Sequence, residues 1–146
     1  FTSPIGPLRF AASDAGLTRV CFEGEPLPID EPSVSPLVTQ ELTEYFAGTR
    51  QKFTVPLDLG RVTDFRTAVL RKLEKVPYGE TTTYAELARA VGNPKAVRAV
   101  GSACATNPLP LFIPCHRVLR SDGQLGGYRG GVEAKRFLLR MEGIDV

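Results

Sequence analysis

Two periodicities divide the chain. In the first sixty residues apolar positions fall in short strand-like runs, Leu8 to Ser13 and Leu17 to Phe22. The turn signal Asp14-Ala15-Gly16 between them predicts a hairpin. After a proline-rich loop from Gly24 to Pro36, Leu37, Leu42, Tyr45 and Phe46 return on one helical face. Ser35 and Pro36 suit the start of that helix and Gly48 its end. Phe53 to Leu57 reads as a further strand, at an edge because Pro56 lacks a donor.

Beyond residues 60 to 63, Gly-Arg-Val-Thr, helical spacing takes over. Thr63 or Asp64 can cap a helix carrying Phe65, Val69, Leu70, Leu73 and Val76, stopped by Pro77-Tyr78-Gly79. Thr83-Tyr84-Ala85-Glu86 fits a capping box and opens a helix through Leu87, Ala88 and Val91. Gly92 ends it, Asn93 caps the next and Pro94 occupies its first turn. That next helix, Pro94 to about Ala105, follows a turn of three or so residues, which is helix-turn-helix spacing. Ala96, Val97, Val100 and Cys104 are expected inward. Lys95, Arg98 and Ser102 are expected outward among Ala99, Gly101, Ala103 and Ala105. The apolar run Leu111-Phe112-Ile113 reads as a strand ending in a proline-stiffened turn. A glycine-rich loop spans Gly126 to Gly131, and a last helix, Val132 to Glu142, is expected to turn Phe137, Leu138 and Met141 inward. The fold class is therefore α+β. A small N-terminal domain of β-sheet plus helix over residues 1–60, structural in role, precedes a mostly helical domain over 61–146 with a helix-turn-helix.

Composition sharpens this picture. The 146 residues, 42% of them apolar, suffice for one ordinary domain or two small ones, and no run approaches the roughly 18 apolar residues of a membrane span. The first residues carry neither the basic region nor the apolar block of a secretion signal. A reducing interior is expected from cysteines at 21, 104 and 115 that show no paired spacing. Cys21 reads as a small buried hydrophobe, and no metal site is expected because there is no Cys-x-x-Cys. The formal charge of +2 hides an asymmetry: residues 1–60 carry 4 basic against 8 acidic groups, net −4, and residues 61–146 carry 14 against 8, net +6. A positive surface of this kind draws nucleic acid, although a plain solvated face produces the same imbalance. Likewise, two short helices with a tight turn serve DNA binding or ordinary core packing.

The candidate chemistry sits in Pro114-Cys115-His116-Arg117-Val118, where the only histidine follows a cysteine. A thiol of pKa about 8.5 is only a few per cent ionised near neutrality, so a nucleophilic Cys115 needs a neighbour favouring the thiolate, and His116 is the candidate base. The glycine-rich loop is no phosphate-binding fingerprint, because it lacks the lysine and the strand-to-helix context.

Taken with Tyr84, Arg98, Asn107-Pro108, the block Ile113 to Val118, the loop Gly126 to Gly131 and Glu142, the chain resembles the O6-alkylguanine-DNA alkyltransferase family. The match runs from about Phe65 to Gly143 and is looser over the first sixty residues. The resemblance implies direct-reversal DNA repair without a cofactor: an alkyl group moves irreversibly from O6 of guanine, and from O4 of thymine, to Cys115. In the implied roles His116 takes the thiol proton through a water, Glu142 orients His116, and Asn107 braces the turn. Tyr84 hydrogen-bonds the guanine ring, and Val118, Tyr128 and Arg129 line the pocket with backbone groups. Arg98 fills the gap left by a flipped nucleotide, while Lys95, Ala99, Ser102, Thr82 and Thr83 meet the DNA. The implied partner is double-stranded DNA bound through its minor groove, by a cytoplasmic, nucleoid-associated monomer that is nuclear if eukaryotic. Arg129 stands where some members have serine, so only its backbone amide carries over, and Leu70 stands where many have tryptophan. The alternative from another class is a non-enzymatic sensor of alkylated DNA that recruits repair factors; the alkyltransferase-like proteins that do this lack the cysteine. A cysteine hydrolase would need an oxyanion hole, for which the sequence gives no separate signal.

Overall fold

The computed structural model describes residues 1–27, 35–60 and 62–146. Most of the expected proline-rich loop and Arg61 of the expected boundary lie outside the described residues. Contacts divide the chain into two compact units, Phe1–Gly60 and Arg61–Val146.

In the first unit β1 (Thr2–Ser3) and β2 (Gly6–Pro7) form a short antiparallel pair that the apolar pattern does not announce, and β3 (Arg9–Ser13) pairs antiparallel with β4 (Gly16–Cys21) in the expected hairpin. A β-bulge sits between Ala11 and Ala12. Gly16 is required at the hairpin's return: its φ is +149°, and an added Cβ would stand 2.5 Å from the Pro56 carbonyl oxygen. Phe53 to Leu57 is not a strand. Leu57 makes one isolated bridge with Leu17, whose amide donates to the Pro56 carbonyl at 2.8 Å. The Asp58 amide completes the bridge by donating to the Leu17 carbonyl at 2.8 Å, and Pro56, with no N–H, cannot donate to extend it.

Helix α1 (Pro36–Phe46) starts where expected, the Ser35 hydroxyl accepting from the Val38 amide with Pro36 in the first turn. Its buried face is Val38, Glu41, Leu42 and Tyr45, whereas Leu37 is outside the stripe and 40% exposed. The i, i+3, i+4, i+7 positions include a glutamate, so a reading by apolar residues alone turns the face by one position.

The second unit opens with α2 (Asp64–Glu74), capped by the Thr63 hydroxyl and burying Val69, Leu70 and Leu73. Strand β5 (Thr82–Thr83) leads into α3 (Tyr84–Ala90), where the Thr83 hydroxyl accepts from the Glu86 amide at 3.1 Å. The Glu86 carboxylate accepts from the Thr82 hydroxyl at 3.3 Å, so the second arm of the expected capping box goes to a neighbouring side chain. Residues 91–96 separate α3 from α4 (Val97–Ala105), a longer connection than three residues. Asn93 does not cap α4; its carbonyl closes a turn on the Ala96 amide at 3.0 Å, which leaves Pro94 and Lys95 outside the helix. Helix α4 packs on α2 and α3 through Val100, Ala103 and Cys104. Ala103 is therefore inward and Val97 exposed, the reverse of expectation, because i, i+3, i+4 from Val100 selects 103 and 104.

Strand β6 (Val118–Leu119) runs parallel to β5 with Thr82 opposite Val118. Helix α5 (Val132–Met141) buries Lys135, Leu138 and Leu139, with Glu142 at its C-cap, while Phe137 is 40% exposed and Met141 half-buried. Positions 135, 138, 139 and 142 form one helical stripe whose first and last members are charged, and this is why apolar spacing misassigned Phe137. Mixed strands and helices make the fold α+β.

Candidate active site

The segment before the reactive cysteine doubles back instead of extending. Leu111 has a φ of +74°, the single non-glycine residue in the left-handed region among those described, and the Ile113 amide donates to the Leu109 carbonyl at 2.8 Å. A branched apolar residue there costs about 1–3 kcal/mol and persists only when its surroundings enforce it. Asn107, 1% exposed, does so: its Nδ2 donates to the Ile113 carbonyl at 2.9 Å and its Oδ1 accepts from the Leu109 amide at 2.9 Å. The expected strand over Leu111 to Ile113 is therefore a buried, amide-stitched turn. Cys115 opens a single 3₁₀ turn, Cys115–Arg117, that feeds β6.

His116 is fully buried, and its Nε2 lies 2.7 Å from Glu142 Oε2. The same carboxylate accepts from Arg117 Nε at 2.8 Å, from Arg117 Nη2 at 3.0 Å and from the Gly79 amide at 3.2 Å. Arg117 donates further to the Val76 carbonyl at 2.7 Å and lies over the Tyr78 ring. Burial works to raise the Glu142 pKa, but the hydrogen bonds and charges of His116 and Arg117 outweigh it and hold the carboxyl at about 2. For His116 burial is the largest influence and lowers the pKa, against the pull of Glu142. Burial likewise pushes the Cys115 thiol up, opposed by the Asn107 side chain, Arg129 and Lys135. Burial thus favours the uncharged forms of Cys115 and His116, while Glu142 stays an ionised carboxylate against the imidazole.

A cavity of about 430 Å³ opens on Cys115, with Tyr84, Gly101, Cys104, Ala105, Gly127, Tyr128 and Arg129 as its other walls. That volume is in the range of small-ligand sites. Of the expected pocket residues, Tyr84, Tyr128 and Arg129 line it and Val118 does not; Val118 is buried on β6, its carbonyl accepting from Lys135 Nζ at 2.6 Å. Cys104, inward on α4 as expected, also lines the cavity, with its thiol pushed by burial up to about 12. A larger groove of about 820 Å³ shares Tyr84 and Gly127 but contains no nucleophile. Arg98, Ala99 and Ser102 are exposed on α4, Lys95 is exposed in the turn before it, and Thr82 and Thr83 are half-buried on β5.

Two residues escaped sequence reasoning. Arg117 sits in the block around Cys115, where neither spacing nor resemblance assigns it a role. Lys135, fully buried, spans Val118 and the Gly127 carbonyl at 3.2 Å, and burial lowers its pKa to about 8. The available signal was the stripe 135, 138, 139, 142, in which two charged residues occupy core positions. Among the described residues no cluster of ligands could hold a metal, and no helix is long and apolar enough to cross a membrane.

Cys115 on a cavity, next in sequence to a buried His116–Glu142 pair and carried with two short helices joined by a turn, defines a class of thiol-bearing helix-pair protein. Residues 64–144 match the 6-O-methylguanine DNA methyltransferase DNA-binding domain, and residues 1–59 match the ribonuclease-like domain of the same enzymes. The chain is 41% identical to the methylated-DNA-protein-cysteine methyltransferase of Methanosarcina acetivorans, over 98% of this chain and 96% of the relative. It is 42% identical to the constitutive Bacillus subtilis protein of that name, over 98% and 93%. Among solved structures it is similar to Mycobacterium tuberculosis OGT in complex with DNA, with TM-score 0.91, 41% identity, and 97% and 89% of the two chains covered. It is also similar to S. pombe Atl1 in complex with damaged DNA containing O6-carboxymethylguanine, with TM-score 0.53, 33% identity, and 59% and 82% covered. The chain belongs to the methylated-DNA-protein-cysteine methyltransferase family, DNA repair enzymes that move an alkyl group from DNA to a cysteine.

Proposed function

We propose that each molecule acts once, taking the alkyl group from O6 of guanine, or O4 of thymine, in duplex DNA onto Cys115. The observation that carries this reading is Cys115 lining a cavity while His116, next to it in sequence, is held 2.7 Å from an ionised Glu142. The thiol proton passes through a water to His116, and Glu142 stabilises the imidazolium. The sulfur then attacks the alkyl carbon in line. As the sulfur–carbon bond forms, the carbon–O6 bond breaks and its electron pair retreats onto O6 and the ring. Tyr84 hydrogen-bonds the ring, which takes up a proton at N1 from water, and the imidazolium returns the thiol's proton to water, so that proton count and charge are unchanged overall. The thioether product has no thiol left to ionise, so the event is not repeated.

An alkyl group at O6 lies inside the base stack, and extruding the nucleotide costs a few kcal/mol. The exposed Arg98 is suited to fill the vacated space, and Ala99 lets the backbone of α4 approach the minor groove. Lys95, Ser102, Thr82 and Thr83 contact the sugar-phosphate chain, and backbone groups of Tyr128 and Arg129 grip the base. Asn107 holds the turn that presents the sulfur. The protein works as a monomer, close to the nucleoid or in a nucleus, with weak sequence preference and binding that falls steeply with salt. A sensor that only binds alkylated DNA has no use for a thiol in that cavity, which disfavours this second reading.

The test is transfer of labelled methyl from duplex bearing O6-methylguanine. The expected result is label on the protein at no more than one group per molecule, absent in Cys115→Ser. Label retained by Cys115→Ser, or repeated turnover, contradicts the proposal.

A further inference from the structure

The cavity wall contains a positive side chain that the mechanism above leaves unused. Arg129 lines the same cavity as Cys115, and its guanidinium donates from Nη1 to the carbonyl of Asn107, the residue that stitches the nucleophile's turn. The side chain thus ties the Gly126–Gly131 loop to that turn and holds a guanidinium at the cavity in which charge has to move. Its Nε is screened from solvent, where a charge acts through a lower effective dielectric than at an open surface.

Building on the alkylguanine reading, we infer that the Arg129 guanidinium is a catalytic group, stabilising first the Cys115 thiolate and then the charge on the departing base. The step needs such a group at both ends. The sulfur's electron pair forms the new bond to carbon while the pair of the carbon–O6 bond moves onto the base; the proton given to His116 is matched by one taken up at N1. Negative charge therefore crosses the cavity from sulfur to O6 without leaving it, and preorganised positive charge lowers the barrier at no cost in reorganisation. The other groups that act on the sulfur are Cys104 on α4, Lys135 on α5, Tyr84 at the start of α3, Tyr128 and the Asn107 amide. Of the two basic ones, Lys135 has its nitrogen committed to the Val118 and Gly127 carbonyls and Arg129 alone is a wall of the cavity. Arg129 also works in the direction required, favouring the thiolate against burial.

The test compares Arg129→Met, which keeps length and removes charge, with Arg129→Lys, which keeps charge and loses the fork. Two quantities are read on the full chain: the pH midpoint for Cys115 modification by iodoacetamide, followed by peptide mass, and the rate of transfer from free O6-benzylguanine. Arg129→Met is expected to move the midpoint up by about one pH unit and slow transfer about tenfold or more. Arg129→Lys recovers most of both. An unchanged midpoint with wild-type transfer in Arg129→Met overturns the inference. So does an equal loss of transfer in both variants with the midpoint unmoved and the melting temperature lowered, since that is a tether and nothing more. If the wild-type protein takes no alkyl group while the midpoint still shifts in Arg129→Met, the substrate reading fails and the action of Arg129 on the sulfur stands.

Discussion

Each unit of this protein buries a glutamate, and the two have opposite uses. Glu41 on α1 is fully enclosed. It accepts from the Thr54 amide and hydroxyl at 2.7 Å each and from the Val55 amide at 3.1 Å, with Arg50 Nη1 at 3.0 Å. Its ligands are backbone, hydroxyl and guanidinium groups that keep their protonation state at any ordinary pH, so it clasps residues 54 and 55 and does no more. Glu142 also has a guanidinium and a backbone amide, but its remaining partner is an imidazole that can change charge, next in sequence to a thiol on a cavity. Both carboxyls are held below their usual range. A buried, depressed carboxylate is therefore a statement about stability first; it becomes chemistry only when one partner titrates and leads to a reactive atom.

Glu142→Gln tests that distinction most severely. It keeps the shape of the side chain but leaves the buried Arg117 without its counter-charge, a loss of about 3–5 kcal/mol in denaturant unfolding. Alkyl transfer per folded molecule should also fall by about 100-fold or more, because His116 loses the group that stabilises its charged form. Unimpaired transfer would remove Glu142 from the chemistry and make it the equal of Glu41.

Acid titration reads the Glu142 side of the comparison. Glu142 has a folded value of about 2 against an unfolded carboxylate near 4.3, so its contribution is fully present above about 4.3 and disappears as the pH falls toward 2. That contribution is on the order of 3 kcal/mol. Stability measured against pH should drop through this window in the parent protein, with a shallower fall in Glu142→Gln; an identical fall in both places the linkage elsewhere.

Glu41→Gln should cost less, about 1–3 kcal/mol, by weakening hydrogen bonds to a charged acceptor. Transfer per folded molecule should stay at the parent value. A matching loss of transfer would break the comparison from its structural side. The smallest effect concerns binding: Arg98→Ala should slow repair in duplex about tenfold more than transfer from free benzylguanine, in keeping with a few kcal/mol of flipping cost. Equal losses count against an inserted Arg98.

Local grammar was legible in the sequence wherever a short-range rule decides the structure. Ser35, Thr63 and Thr83 cap the helices expected of them, and Asp14-Ala15-Gly16 turns the hairpin, because each acts within four residues. Adjacency of Cys115 and His116 was visible for the same reason. The failures are long-range. Nothing near Leu111 announces its left-handed backbone, which Asn107 enforces by bonds to residues 109 and 113. Lys135 and Glu142 were hidden within an apolar stripe that counts only hydrophobic residues, and their partners lie 17 and 26 positions away. Glu142 entered through resemblance, not through spacing; Arg117 and Lys135 entered only when the fold brought them to the site.

The central claim is that Cys115 becomes the permanent carrier of the group removed from DNA. Intact mass after exposure to duplex bearing O6-methylguanine, followed by peptide mapping, addresses it most directly. The account predicts a gain of one methylene in mass, located on the peptide containing Cys115. Guanine restored with no gain in protein mass, or the added group found on Cys104 across the same cavity, would contradict it.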